Sequence, residues 1–227
     1  MKLSIIIPVY NEKETILKIL KKVEDIELKY IEKEIIIVDD FSTDGTRDIL
    51  KSLEKHKIFF HEKNIGKGGA IRTGLKYFTG DIVLFQDADL EYDPKFYNDL
   101  LKPILNNETK VVYGSRMLGE HKDMYSLHYF GNNFLTIATN FLFNCKISDM
   151  ETCYKVFKKE VLEGISLKSE KFDFEPEITA KILKKGYKIK EVPIDFKNPR
   201  DFEQGKKITW KDGVMHFYYL LKYRFFD

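Results

Sequence analysis

The chain has 227 residues, of which 43% are hydrophobic and 33% are charged, and its formal net charge is +2. This composition excludes a disordered or fibrous protein, and so small a charge gives no support to nucleic-acid binding. No apolar run reaches the roughly 18–20 residues that a membrane-spanning helix needs, and the first residues do not predict a signal peptide. Cys145 and Cys153 are the only cysteines; without a C-x-x-C pair they predict free thiols in a reducing cytoplasm.

Strands and helices alternate through the first hundred residues. Continuous apolar runs predict buried strands over residues 3–10, 35–38, 58–60 and 82–85. A helical pattern follows each strand, and the last of these helices begins at Pro94, a favoured first-turn position. This alternation is typical of an α/β fold with a mostly parallel central sheet and helices on both faces. Because ligands of such sheets bind at the carboxyl edge, we expect the site where these strands end.

The strand over residues 82–85 leads into a run of acidic residues. Asp87 and Asp89 are one residue apart, and Glu91 follows two residues later. Carboxylates this close repel each other in a half-buried crevice, and Mg²⁺ or Mn²⁺ removes that cost by joining them to a substrate diphosphate. A pair of solvated turn aspartates, or a cap on the helix at Pro94, is the alternative interpretation.

A glycine-rich segment, residues 66–69, opens another predicted helix. It matches neither a P-loop nor a dinucleotide-binding fingerprint, so it supports neither class of protein. Lys67 and Arg72 are placed to meet a phosphate at the amino end of this helix. Alternatively, they are an ordinary helix-terminus residue and a surface residue.

Beyond residue 110 the alternation breaks. Strands are predicted over residues 111–113, 151–157 and 188–194, and a helix over residues 175–185. A loop rich in Pro, Arg, Gly and Lys follows at residues 198–207. Since no linker or repeat interrupts the pattern, a single domain is expected.

That domain divides into two halves, residues 1–110 and residues 111–227. The second half carries an apolar stripe at helical spacing, which predicts a helix face in the core or at an interface. The stripe consists of Leu127, Phe130, Phe134, Ile137, Ala138 and Phe141. The segment 210–226 mixes aromatic with basic side chains, a combination that suits a lipid headgroup boundary. Packing of its apolar face on the sheet is the alternative.

Several short motifs occur in order along the chain. They are SIIIPVYNE at residues 4–12, VDDFSTDGT at 38–46, NIGKG at 64–68, DADLE at 87–91, GSR at 114–116, DMETCYKVF at 149–157, FDFE at 172–175, EVPI at 191–194 and EQGKK at 203–207. Together they resemble the family 2 glycosyltransferases of GT-A fold, especially the branch of dolichol-phosphate mannose synthase and the polyprenyl-phosphate glucosyltransferases. The resemblance covers nearly the whole chain, and the ordered set is far more specific than any single motif. It implies a single GT-A catalytic domain with a nucleotide-sugar-binding half, residues 1–110, and an acceptor-binding half, residues 111–227.

The resemblance implies transfer of a hexose from a nucleotide-diphospho-sugar, of GDP-mannose or UDP-glucose type, with inversion at the anomeric carbon. An apolar wall with an aromatic ring packs the base, and carboxylates accept hydrogen bonds from base or ribose. The candidate donor-site positions are Pro8, Tyr10, Glu12, Val38, Asp40, Lys67, Asp87, Ala88 and Asp89. For Pro8 and Val38, strand packing is the alternative. Asp87, Asp89 and Glu91 match the metal motif, which implies Mg²⁺ or Mn²⁺; relatives often have Gln at the last position.

Four further residues match positions with a catalytic role in the family. Arg116, Arg200 and Lys206 match basic positions that face the donor diphosphate and the acceptor phosphate, and surface ion pairs are the alternative. Asp149 is a candidate base if the acceptor is a hydroxyl. If the acceptor is a phosphate, which is already an anion, Asp149 orients or binds instead, and a turn-capping aspartate is the third interpretation.

The implied acceptor is a polyprenyl (dolichyl or undecaprenyl) phosphate, reached from the cytoplasm with peripheral contact to the inner membrane face. The same donor chemistry on a hydroxyl of a soluble or polymer-bound glycan is the second hypothesis. A non-catalytic nucleotide-sugar-binding module is the third.

Overall fold

The computed structural model describes residues 1–120, 126–196, 200 and 210–226, without the side chains of residues 126–128 and 210–212. The strands of this part are β1 (Lys2–Val9), β2 (Glu32–Asp39), β3 (Lys57–Phe60), β4 (Ile82–Phe85), β5 (Val111–Ser115), β6 (Lys155–Lys158) and β7 (Ile189–Pro193). Its α-helices are α1 (Ile16–Asp25), α2 (Thr46–Lys51), α3 (Lys67–Gly74), α4 (Tyr97–Leu105), α5 (Ser126–Phe143), α6 (Lys159–Leu162), α7 (Phe174–Lys184) and α8 (Trp210–Phe225). A 3-10 turn, Pro94–Phe96, leads into α4.

Within the described part, all these strands join one sheet in the order β3-β2-β1-β4-β6-β5-β7. The pairs among β1 to β4 are parallel, and so is the pair of β5 with β7. Strand β6 runs antiparallel to both β4 and β5. The predicted α/β fold with a mostly parallel sheet is therefore confirmed, with one reversed strand in its middle.

The two faces of the sheet bury two separate apolar cores. In β1, Leu3, Ile5 and Ile7 point into one core and Ile6 into the other, as the period of two in a strand requires. Helices α1 and α4 pack on the first face, and α3 and α7 pack on the second. Because both faces are covered, the strands are continuous apolar runs, which is why they could be predicted from the sequence.

Helices α5 and α8 pack against each other around a small third core that contains Leu135 and Leu220. The apolar stripe was predicted to lie in the core or at an interface, and four of its residues on α5 are exposed, so they do not lie in the core. These residues, the α5 ridge, are Phe130 (68% exposed), Phe134 (57%), Ile137 (67%) and Phe141 (87%). None of the helices in the described ranges combines the length and hydropathy needed to cross a bilayer.

The strand predicted over residues 151–157 begins later than expected. Residues 151–154 form a turn and bend in which the Thr152 hydroxyl donates to the Gly114 carbonyl, and β6 begins only at Lys155. Since β6 is antiparallel, its amino end lies at the edge where the parallel strands have their carboxyl ends. The reversed strand thus adds the segment 149–155 to that edge.

Candidate functional site at the carboxyl edge of the sheet

Polar residues from five strands converge at this edge. Glu12 follows β1, Asp40 follows β2, the acidic run of residues 87–91 follows β4, and Arg116 follows β5 directly. Arg200 comes seven residues after the end of β7. The site is assembled from chain segments up to 188 residues apart.

Arg200 lies at the centre of an acidic cluster. Its guanidinium donates two hydrogen bonds to Glu12, from Nη1 to Oε2 and from Nη2 to Oε1, each 3.0 Å long. Nη2 also donates to Oδ2 of Asp89 at 2.7 Å, and the main-chain N–H of Arg200 donates to Glu91 at 2.7 Å. The predicted residues Glu12, Asp89, Glu91 and Arg200 are therefore brought together by the fold.

The charges in this cluster do not balance. Burial, together with the neighbouring carboxylates of Asp87, Glu91 and Glu12, raises the pKa of Asp89 to about 7, although Arg200 opposes the shift. Burial also raises the pKa of Glu91. Lys67 pairs with Asp87, but the Arg200 guanidinium does not compensate for Glu12, Asp89 and Glu91 together, so the cluster favours an additional cation.

The donor atoms suit a hard divalent cation, because carboxylate oxygens are the ligands that Mg²⁺ and Mn²⁺ prefer. In the described part of the chain, no three His, Cys, Asp or Glu residues are arranged to hold a metal by themselves. This fits a metal of the kind that takes one or two carboxylates and completes its shell with substrate phosphates and water. Asp87 and Asp89 are the residues that would hold it.

Asp87 is paired with Lys67, whose Nζ lies 2.9 Å from Oδ1 of Asp87. The amides at the start of α3 are engaged as well: Gly68 N–H donates to the Lys171 carbonyl at 3.2 Å, and Gly69 N–H to the Glu170 carbonyl at 2.8 Å. These amides are therefore occupied by the chain itself, which argues against a phosphate at this helix terminus.

Asp40 holds a loop in this structure. Its carboxylate accepts from the N–H groups of Ile65 (2.9 Å) and Gly66 (2.6 Å), and the His61 ring lies at 2.8 Å. Asp39, which was not among the predicted site residues, is fully buried and pairs with Arg47 at 2.8 Å.

Two of the apolar positions predicted for the donor site lie in the core, and two do not. Val38 is 0% exposed and Ala88 is 4% exposed, each inside an apolar core, whereas Pro8 and Tyr10 are half-buried. The packing interpretation of Val38 therefore accounts for its position, and Tyr10 is the more accessible surface for a base.

Arg116 and Asp149 form a complete ion pair. The Asp149 carboxylate is 0% exposed and accepts from the main-chain N–H (2.9 Å), Nε (2.7 Å) and Nη2 (2.7 Å) of Arg116, and from Nδ2 of Asn132 (3.0 Å). The Arg116 guanidinium also lies 5.3 Å from the centre of the Phe196 ring. Burial raises the pKa of Glu91 and the charge of Arg116 opposes that rise, so Arg116 lies within electrostatic range of the acidic cluster.

Lys206, with its motif at residues 203–207, lies outside the described residues.

Sequence reasoning missed Asn132, because an amide on an apolar helix gives no signal of its partner. It also missed Glu175 as a site residue, although the motif at residues 172–175 was noticed. Glu175 Oε1 lies 3.3 Å from Nζ of Lys67.

Residues 4–166 match the family model described as glycosyl transferase family 2. The chain is 32% identical over 213 residues to the UDP-N-acetylglucosamine–dolichyl-phosphate N-acetylglucosaminyltransferase of Methanococcus voltae, covering 84% of this chain and 83% of that protein. It is 30% identical over 233 residues to the dolichol-phosphate mannosyltransferase of Pyrococcus furiosus, covering 98% of this chain and 64% of that protein.

Solved structures share the fold at lower sequence identity. Glucosyl-3-phosphoglycerate synthase from Mycobacterium tuberculosis, in complex with Mn²⁺, uridine diphosphate and glucosyl-3-phosphoglycerate, superposes with a TM-score of 0.73 at 18% identity. That match covers 98% of this chain and 78% of the synthase. The resemblance in the ordered motifs is thereby confirmed. The chain belongs to glycosyl transferase family 2, and it is a glycosyltransferase of the GT-A fold.

Proposed function

We propose that the protein transfers a hexose from a nucleotide-diphospho-sugar to a polyprenyl phosphate, with inversion at the anomeric carbon and with Mg²⁺ or Mn²⁺ at Asp87 and Asp89. The observation that carries the donor half is the under-compensated acidic cluster at the carboxyl edge, with the pKa of Asp89 raised to about 7. A diphosphate with its cation supplies the charge and the oxygen ligands that this cluster lacks. Family membership also favours this donor class.

In the proposed reaction, an oxygen of the acceptor phosphate bonds to the anomeric carbon while that carbon's bond to the donor diphosphate breaks. The electron pair of the breaking bond leaves with the nucleoside diphosphate, and a bound cation would stabilise that charge as a Lewis acid. Arg200 supports the same step, since its Nε is buried without a hydrogen-bond partner among the described residues. Such a donor suits a phosphate oxygen.

The state of Asp149 supports a phosphate acceptor over a hydroxyl. A hydroxyl needs a base to take its proton, but the Asp149 carboxylate is fully buried and accepts from four N–H groups. We therefore assign Asp149 the role of holding Arg116, whose remaining side-chain N–H groups have no hydrogen-bond partner among the described residues and suit an anionic acceptor. A phosphate acceptor is already charged and needs no base.

The α5 ridge supports a lipid acceptor. Asn132 and Thr139 of α5 are buried on its inner side, and Asn132 holds Asp149 there, while the ridge covers the opposite side of the same helix. Val214 and Tyr218 of α8 are also more than half exposed, and Lys222 lies in the last turn of α8. Exposed apolar rows next to basic side chains favour a membrane surface, which would place the acceptor phosphate near Arg116 and the protein at the cytoplasmic face.

A donor and acceptor panel tests this function. GDP-mannose, UDP-glucose, UDP-N-acetylglucosamine and dTDP sugars are incubated with Mn²⁺, each with a polyprenyl phosphate, with 3-phosphoglycerate or with a glycan hydroxyl acceptor. Release of nucleoside diphosphate and formation of a lipid-linked sugar are measured. We expect transfer to the polyprenyl phosphate with one donor. Transfer to 3-phosphoglycerate or to the hydroxyl acceptor, with none to the lipid, would overturn the proposed acceptor and leave the proposed donor class in place.

A further inference from the structure

Four charged side chains form a row that begins at the half-buried Asp87 and ends at the buried Lys155. Nζ of Lys67 lies 2.9 Å from Asp87 and 3.3 Å from Oε1 of Glu175, and the other oxygen of Glu175 accepts from Nζ of Lys155. Lys155 is 0% exposed and also donates to the Met150 carbonyl at 3.1 Å. The signs of the charges alternate along the row: Asp87, Lys67, Glu175, Lys155.

The backbone fixes the Lys67 end of this row. Gly66 has a φ of +106°, and a Cβ at Gly68 would lie 2.7 Å from the Ser169 carbonyl oxygen. Glycine at these positions lets the start of α3 approach the main chain of residues 169–171 closely, as the hydrogen bonds from Gly68 and Gly69 show. The segment that carries Glu175 into α7 is thereby held against Lys67.

The Lys155 end is fixed by burial. An ammonium without solvent needs a counter-charge and hydrogen-bond acceptors, and Glu175 supplies the only carboxylate that an ion pair gives Lys155 among the described residues. Lys155 cannot withdraw to water, so Glu175 cannot rotate away without leaving a buried charge unpaired. The position of Glu175 is therefore set from both sides.

Lys67 pairs with two carboxylates, and this determines how strongly its charge compensates Asp87. With Glu175 present, the ammonium lies between two carboxylates and compensates neither of them fully. With Glu175 neutral, the ammonium would pair with Asp87 alone. This tighter pairing weakens the attraction of Asp87 for a divalent cation.

We propose that Glu175, anchored by Lys155, is a positioning residue for the divalent-cation site, and that it acts by holding Lys67 between two carboxylates so that Asp87 remains a metal ligand. This inference deepens the proposed function and rests on the metal in it. Glu175 itself does not touch the metal, and its effect passes through Lys67.

The test is Mn²⁺ binding, followed by the loss of the free-ion EPR signal, in the presence of GDP or of UDP. Glu175→Gln is expected to raise the Kd for Mn²⁺ by about 10- to 100-fold, as for other residues that orient metal ligands. Glu177→Gln is the matched control: this buried carboxylate of α7 pairs with Lys181 and the amides of residues 168 and 169. It should leave the Kd unchanged.

Two further variants separate position from charge and from folding. Glu175→Gln combined with Lys155→Met removes both charges, keeps the net charge, and avoids a buried unpaired ammonium; it should raise the Kd as Glu175→Gln does. Because Glu175 acts through Lys67, Glu175→Gln should have little effect in a Lys67→Met background. The Kd should change about twofold or less, which is the limit within which uncoupled substitutions are additive. Thermal melts establish that each variant is folded.

The outcomes distinguish this inference from the proposed function. Wild-type binding with an unchanged Kd in both Glu175 variants would overturn the positioning role and leave the metal in place. A full effect of Glu175→Gln in the Lys67→Met background would also overturn it. If the wild-type protein binds no Mn²⁺ with either diphosphate, both the inference and the proposed metal are wrong.

Discussion

The carboxylates of Asp149 and Asp89 lie at the same edge of the sheet, but the chain compensates them differently. Asp149 accepts hydrogen bonds from four N–H groups of Arg116 and Asn132, and among the described residues its ion-pair partner is the guanidinium that it orients. The Arg200 guanidinium donates to Glu12 as well as to Asp89, and the main-chain N–H of Arg200 donates to Glu91. Burial and the carboxylates around Asp89 raise its pKa to about 7.

This difference separates two roles within one crevice. A carboxylate that the chain fully satisfies is part of the scaffold and positions another residue. A buried carboxylate that the chain leaves under-compensated favours a cation from outside. Both aspartates occur in recognisable motifs, so only the surrounding contacts tell the two roles apart.

The largest expected effect comes from Asp89. Asp89→Ala should lower kcat by about 10²- to 10³-fold, the scale of one electrostatic stabiliser of developing charge. Steady-state kinetics with saturating Mn²⁺ measures it. Addition of EDTA to the wild-type protein should abolish turnover, and full activity in EDTA would remove the metal from the reaction.

Asp149→Asn should lower kcat by about 10²-fold, because Arg116 loses the charged carboxylate whose two oxygens orient its guanidinium. A small displacement of a group that contacts the substrate slows the reaction strongly. The role is read from chemical rescue: formate, which restores a missing base, should not restore activity. A strong gain of rate with formate would make Asp149 the base and would favour a hydroxyl acceptor. A melting curve is needed alongside, since the variant leaves the buried Arg116 without its counter-charge.

Arg200→Met should tighten Mn²⁺ binding several-fold while slowing transfer, since it removes the cation that competes for Asp89. Calorimetry with the nucleoside diphosphate measures affinity, and turnover is followed in parallel. Arg224→Met, the same change of charge at the far end of α8, is the control. If Arg200→Met weakens metal and nucleotide together, Arg200 is a ligand of the donor and not a competitor of the metal.

The smallest effect concerns the acceptor side. Phe134→Ser with Phe141→Ser should reduce co-sedimentation with anionic liposomes several-fold and leave turnover on a short, soluble prenyl phosphate unchanged. Leu17→Ser, an exposed leucine of α1 far from the ridge in sequence, is the matched control. Equal sedimentation of all three proteins would contradict the role of the α5 ridge.

The regular first half of the fold could be predicted because β1, β2 and β4 are buried on both faces and are continuous apolar runs. The reversal of β6 could not, because an apolar run carries no information on strand direction. The stripe on α5 was recognised by its spacing, but spacing alone does not distinguish a face in the core from one exposed to a partner.

For the candidate site, the motifs located Asp87, Asp89, Arg116 and Arg200, which the structure places at one edge. They did not reveal which carboxylates the chain already satisfies, because those contacts join residues far apart in sequence. Asp149 and Asn132 are 17 residues apart, and Glu175 and Lys67 are 108 apart.

The contrast between the two aspartates is tested most directly by the stoichiometry of bound Mn²⁺ in three proteins. EPR titration in the presence of the nucleoside diphosphate is carried out on the wild type, Asp89→Ala and Asp149→Asn. We expect one bound Mn²⁺ in the wild type and in Asp149→Asn, and none at the same concentrations in Asp89→Ala. Loss of the metal from Asp149→Asn to the same extent as from Asp89→Ala would contradict this expectation.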